Sequence, residues 1–250
     1  MLDVFSELGW LQILGMAGAI FAAAVLRAFT GFGFALAALP VLSLFLAPGT
    51  AASIVVLLTL GVSLQTFRSY AKDVEVKPMA LVVMLSAIGT ILGTQILLFI
   101  DPEMFTITIG VTVMVACFLL TRFKPEHTEI GGVKAWVAGV TSGLMNGAVA
   151  IPGPPIIVYA MAVFAEAKDS RAFLMMFFLF SAVFAAITYS LNGIMTLKEL
   201  VLFATAYPAM MIGDRVGFWL FENYGTAAYR NIAIGALFVV GAGITLDAIL

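Results

Sequence analysis

The chain has 250 residues, 63% of them hydrophobic and 10% charged, with a formal net charge of −2 at pH 7. Globular domains sit at roughly 45–50% apolar and about 25% charged residues. A soluble fold of this length could not cover so much apolar surface, and no basic patch points to nucleic acid.

In chain order, Asp3 and Glu7 open the N-terminus without a Lys or Arg. The positive n-region of a signal peptide is missing, and the first apolar segment is expected to be retained. Charge-free runs then follow at 8–26, 28–67, 78–100, 104–121, 135–165 and 172–197. About 20 apolar residues cross a bilayer core. Charged or Pro/Gly punctuation divides the runs into ten segments: 9–29, 31–47, 50–70, 78–100, 103–121, 132–150, 152–165, 171–191, 197–220 and 229–248. No segment alternates as a membrane β-barrel strand does, which leaves helices as the way to satisfy the backbone in lipid. The expected fold is an all-α polytopic membrane protein.

Residues 122–134 form the longest polar stretch, between two halves at 1–121 and 135–250. With ten alternating segments, every cation but Lys198 falls at or nearest one side. Counting only eight segments, without 31–47 and 152–165, divides the cations almost evenly. The positive-inside rule therefore favours a cytoplasmic linker and two periplasmic termini. A re-entrant hairpin has the same parity as two full spans, so the count leaves those alternatives open. Five segments per half make the second half an inverted repeat of the first. At an offset of 115, Gly31 falls on Asn146, Gly33 on Ala148 and Pro40 on Pro155.

Each half opens with a break. The first is Arg27-Ala-Phe-Thr30-Gly31-Phe-Gly33-Phe, with Pro40 beyond it. A break there frees N–H groups at the start of the next helix, beside a guanidinium and a hydroxyl, which is the chemistry of an anion site. Alternatively, Arg27 marks the cytoplasmic end of the first helix. The second break is Ser142-Gly143-Leu-Met-Asn146-Gly147-Ala-Val-Ala-Ile-Pro152-Gly153-Pro154-Pro155. Its prolines cannot continue a helix interior, and Pro154 or Pro155 can begin the next helix. Paired broken segments in two halves are the sequence pointer to a transport site. The candidate substrate-binding residues are Arg27, Thr30, Gly31, Gly33, Ser142, Asn146, Gly147, Gly153 and Pro154. The alternative for the second break is a packed structural kink.

Asp214-Arg215 lies inside segment 197–220. Neighbours in a helix do not face each other, so Asp214 is expected to balance Arg27 as a structural pair or to serve as a coupling acid. Arg215 is then free to snorkel. Gly89-x-x-x-Gly93 and Gly213-x-x-x-Gly217 suit close helix packing. Gln65, Thr90, Thr94, Gln95, Tyr159 and Tyr207 are further candidates to line a pathway. Cys117 reads as a packing residue. His127 stands alone in the linker, so no metal or other cofactor is expected. No nucleophile elbow, Ser-His pair or Walker motif suggests an enzyme.

The two glycine-rich breaks, Gly31-Phe-Gly33-Phe with Pro40 and Asn146-Gly147 through Pro152-Gly153-Pro154-Pro155, resemble those of the TauE/SafE family of bacterial membrane transporters. The resemblance covers nearly the whole chain. The sequence departs from the family pattern at Phe34 and Ala148-Val149-Ala150, where glycine is common. The resemblance implies a secondary transporter in the bacterial inner membrane, an exporter working by alternating access. Its substrates would be small sulfur-containing or organic anions such as sulfite, sulfonates or sulfoacetate. An anion channel or uniporter, or a non-transporting subunit of a membrane complex, are the alternatives. The expected partners are the anion and the lipid bilayer, with a homo-oligomer left open.

Overall fold

The computed structural model describes residues 10–30, 33–74, 76–122, 130–164 and 166–224, with Gly235, Phe238 and Gly241. Segment 229–248 otherwise lies outside the described residues, as do Gly31, His127 and most of the 122–134 linker. The described chain is all-helical: α1 (Trp10–Thr30), α2 (Phe34–Leu42), α3 (Pro48–Tyr70), α4 (Val76–Phe99), α5 (Pro102–Arg122), α6 (Gly132–Val149), α7 (Gly153–Val163), α8 (Ala167–Leu191) and α9 (Leu197–Tyr224). A short 3₁₀ turn, Ala71–Asp73, follows α3.

Local sequence starts these helices. Pro48 opens α3 and Pro102 opens α5, where a missing N–H costs nothing. Thr196 and Glu199 form a capping box at the start of α9: Glu199 Oε2 accepts from the Thr196 N–H at 2.9 Å and from its hydroxyl at 2.6 Å. The other Glu199 oxygen accepts from the Thr50 hydroxyl at 3.0 Å, which ties the start of α9 to the start of α3.

Among the described residues, four helices are long and apolar enough to cross a membrane, at Pro48–Arg68, Met79–Phe99, Pro102–Leu119 and Lys168–Leu191. Many large apolar side chains lie on the outer surface, among them Met84, Ile88, Phe99, Phe118, Val133 and Trp136. Water-exposed patches of this extent do not occur on soluble monomers, whereas lipid accepts them. The protein is an all-α polytopic membrane protein.

Two helices are too short to span. α2 has 9 residues and α7 has 11, which rise only about 14 and 17 Å against a core of about 30 Å. Each follows a longer helix in the chain, α1 or α6. Neither α2 nor α7 is long enough to cross such a core alone.

The tightest seams join α1 to α9 and α4 to α6, and α3 packs on α8. Adding five to each helix number, counted modulo ten, turns the α1–α2, α2–α3 and α4–α8 contacts into α6–α7, α7–α8 and α9–α3, all of which are present. Both tight seams are made by small residues. A Cβ on Gly89, Gly93, Gly143 or Gly147 would run into the facing backbone of α4 or α6, and Gly213 and Gly217 lie equally close to Phe21, Val25 and Ala28 of α1. The Gly-x-x-x-Gly pairs work here as packing motifs.

Candidate functional site

The breaks are built by identifiable groups. At the first, Gly33 is the N-cap of α2, with φ of 92°, a left-handed conformation that glycine adopts without a Cβ clash. At the second, α6 runs on through Asn146 and Gly147 and ends in a left-handed αL cap at Ala150. Ala150 N–H donates to Asn146 O and Ile151 N–H to Met145 O. Ala150 takes φ of 52° there, unusual for a non-glycine residue. The Ser142 hydroxyl donates to Pro152 O and holds the turn against α6. The Tyr189 hydroxyl, from α8, lies 3.0 and 2.9 Å from the Asn146 and Gly147 carbonyls at this helix end.

Both short helices start at one cavity. Its described lining includes Gly33–Leu36 at the start of α2, Ala150–Gly153 at the start of α7, and the side chains of Arg27 and Asn146. The walls are Val56, Thr59 and Ser63 of α3 and Met175, Phe178 and Ala182 of α8. Thr59 and Phe178 lie near the middle of their helices, so the cavity sits midway along two spanning segments. Its volume is about 40 Å³, room for about three waters at ~10–15 Å³ each.

The two helix starts differ as donors. Phe34, Ala35 and Leu36 occupy the first three positions of α2, whose N–H groups have no acceptor within the helix. In α7 those positions are Gly153, Pro154 and Pro155, and only Gly153 has an N–H. The prolines preset the helical φ and leave a single donor.

Two polar knots flank the cavity. In one, Arg27 Nη1 donates to Asp214 Oδ1 at 2.7 Å and Nη2 reaches the Thr66 hydroxyl at 3.4 Å. Arg27 and Asp214 are 8% and 3% exposed, so this is a buried pair. In the other, the Asn146 amide nitrogen donates to Ser181 O at 2.9 Å and to the Thr90 hydroxyl at 3.3 Å. The first knot uses α1, α9 and α3, and the second uses α6, α4 and α8, the same step of five in helix order.

Of the residues singled out by sequence, Arg27, Gly33, Asn146 and Gly153 line the cavity. Ser142 and Gly147 are buried beside it, one bonding the break and one packed on α4. Pro154 lines a separate apolar groove on the other side of α7. Thr30 ends α1, and Gly31 lies outside the described residues. Arg215 is exposed and points away from the pair. Gln65, Thr90, Thr94, Gln95, Tyr159 and Tyr207 are absent from the described lining. Gln65 accepts from Tyr207 at 3.1 Å, and the Tyr159 hydroxyl accepts from Gly131 N–H. Sequence reasoning missed Thr59 and Ser63, two hydroxyls four apart on one helix face within the charge-free run 28–67, a spacing that was readable.

The family described as "Sulfite exporter TauE/SafE" matches residues 16–244. The chain belongs to the TauE/SafE family. It is also 24% identical over 246 residues to the "Probable sulfite/organosulfonate exporter TauE" of Cupriavidus necator, covering 96% of each protein. No solved structure matches the chain. The TauE/SafE proteins are membrane transporters, and the match spans both breaks, both knots and all nine described helices.

Proposed function

We propose that this TauE/SafE protein is a secondary transporter that exports a small sulfur oxyanion, with sulfite as the primary substrate. One observation carries the reading. Two half-helices begin at the same cavity, midway across the spanning segments, with a buried arginine in its wall. Helix N-termini concentrate partial positive charge, and transporters built from broken helices aim them at anionic groups. The substrate ligands are the N–H groups of Phe34, Ala35, Leu36 and Gly153 and the guanidinium of Arg27. Asn146 has both amide hydrogens committed to Ser181 and Thr90, so it positions the second break instead of donating to the anion. The apolar wall of Val56, Met175 and Phe178 keeps the site dry and strengthens each donor.

Cavity size favours a compact ion. Room for about three waters suits a four-atom pyramid such as sulfite, while a longer organosulfonate requires the cavity to open. The step-of-five contact pattern supports two inverted halves, 1–121 and 135–250, joined by the 122–134 linker. Alternating access then follows from movement of one bundle against the other. The distribution of cations supports residence in the bacterial cytoplasmic membrane with both termini periplasmic. Asp214, held at 2.7 Å by Arg27, acts in this reading as a structural counter-ion rather than a proton carrier.

The test is ligand stabilisation of the purified protein by sulfite, sulfoacetate, taurine, sulfate and carboxylates. Sulfite at a hundred times its dissociation constant should add about 2.7 kcal/mol. Ala35→Pro removes one α2 donor at a position whose α7 counterpart, Pro154, is already proline. It should weaken the sulfite effect while preserving the melting temperature without anion. No stabilisation by any anion of the panel would refute the reading.

A further inference from the structure

The cavity explains Arg27 but leaves a second arginine unused. Arg171 lies in the first turns of α8, one helical turn before Met175, a cavity-wall residue. Residues four apart share a helix face, so Arg171 stands on the face that continues into the wall. Ala172 and Met175 pack there with Tyr70 of α3, and the Tyr70 hydroxyl donates to Ser63 O at 2.8 Å, beside the cavity. Arg171 is partly buried and acts electrostatically on both Arg27 and Asp214. Among the described residues, no carboxylate comes within salt-bridge distance of it. Asp169, two residues earlier, lies about 200° around the helix. Among the described residues, Asp214 thus pairs with Arg27 and acts on Arg171 only at longer range.

The geometry points to Arg171 as the second cation of the anion site, standing at its mouth on the cation-rich side. This rests on the proposed function and deepens it. Asp214 neutralises Arg27, so Arg27 alone offers an anion little net charge. Arg171 draws the oxyanion in from that side and hands it past Met175 to the helix starts and Arg27. A second cation also explains how an anion is attracted to a site that already contains a buried acid.

The experiment measures sulfite binding to the full chain in lipid nanodiscs. Arg171→Gln should weaken sulfite about tenfold, with the melting temperature in the absence of anion unchanged, and Arg171→Lys should recover most of the affinity. A charge-rescue arm separates attraction from folding. Arg171→Cys, in a chain carrying Cys117→Ala, is alkylated either with 2-bromoethylamine, which adds an ammonium, or with iodoacetate, which adds a carboxylate. The ammonium should restore binding and the carboxylate should abolish it. This arm decides the matter even if Arg171→Gln folds poorly, because both products share one protein preparation. Equal affinity of wild type and Arg171→Gln, or of the two alkylated products, overturns the proposal while leaving the proposed function standing. Absence of sulfite binding to the wild-type chain overturns both.

Discussion

Arg27 and Asp214 are 187 positions apart in sequence, yet they form a buried ion pair. Local sequence left Arg27 two possible partners, a substrate anion or Asp214. The structure pairs the guanidinium with Asp214 and also places Arg27 in the lining of the cavity. Arginine has five N–H donors in a planar fork, and two nitrogens reaching Asp214 and Thr66 do not exhaust them. Both partners can therefore be real. Removing one member of a buried pair costs about 3–5 kcal/mol, because the other is stranded in a low dielectric. Arg27→Gln should lower stability by that order, and adding Asp214→Asn should restore most of it. The double variant should still fail to bind sulfite, because the guanidinium is gone. Calorimetry of the three chains with and without sulfite checks this, and full recovery of binding in the double variant would remove Arg27 from the site. Asn146 shows where residue-level reading stops. Its polarity in an apolar run is visible in sequence, but the carbonyl of Ser181 that occupies its amide comes from another helix.

At the scale of elements, the breaks were legible because glycine and proline carry their own geometry. Gly33 stands where φ must be positive, and Pro152 to Pro155 place the start of α7 within a residue. The end of α6 was less legible: Asn146-Gly147 looked like part of the break and is helical. Gly147 is glycine because α4 lies against it, and a close approach cannot be told from a turn by composition. Ala150 holds the left-handed position itself, where an L side chain costs about 1–2 kcal/mol. The glycine seams give a sharper prediction. A Cβ on Gly143 would collide with the Ser86 backbone, and overpacking of this kind costs about 1–3 kcal/mol or more. Gly18 is helical and exposed, and a methyl added there would meet nothing within 4 Å. Gly143→Ala should therefore destabilise the protein clearly, whereas Gly18→Ala should leave it unchanged or raise stability by about 0.5–1 kcal/mol. Thermal unfolding in one detergent compares them, and equal effects would show that the α4–α6 seam is looser than its geometry implies.

At the scale of the molecule, the membrane class was fixed by composition and the halves were suggested by the position of the linker. The pairing of α1 with α9 and of α4 with α6 was beyond reach, since seams of small residues leave no charge or hydropathy signal to say which helix meets which. The step of five in helix contacts accords with inversion, and inversion predicts termini on the same side. Reporter fusions at Met1 and Leu250 should both read periplasmic, and a split reading would end the inverted-repeat account. The central claim is that the starts of α2 and α7 together hold the transported anion. Its most direct measurement is anomalous diffraction from crystals of the Cys117→Ala chain grown with selenite, after competition shows that selenite displaces sulfite. The account predicts a selenium peak in the cavity, within hydrogen-bonding reach of the Phe34–Leu36 and Gly153 N–H groups and of Arg27. A competing selenite found anywhere else in the protein, with that cavity empty, would contradict it.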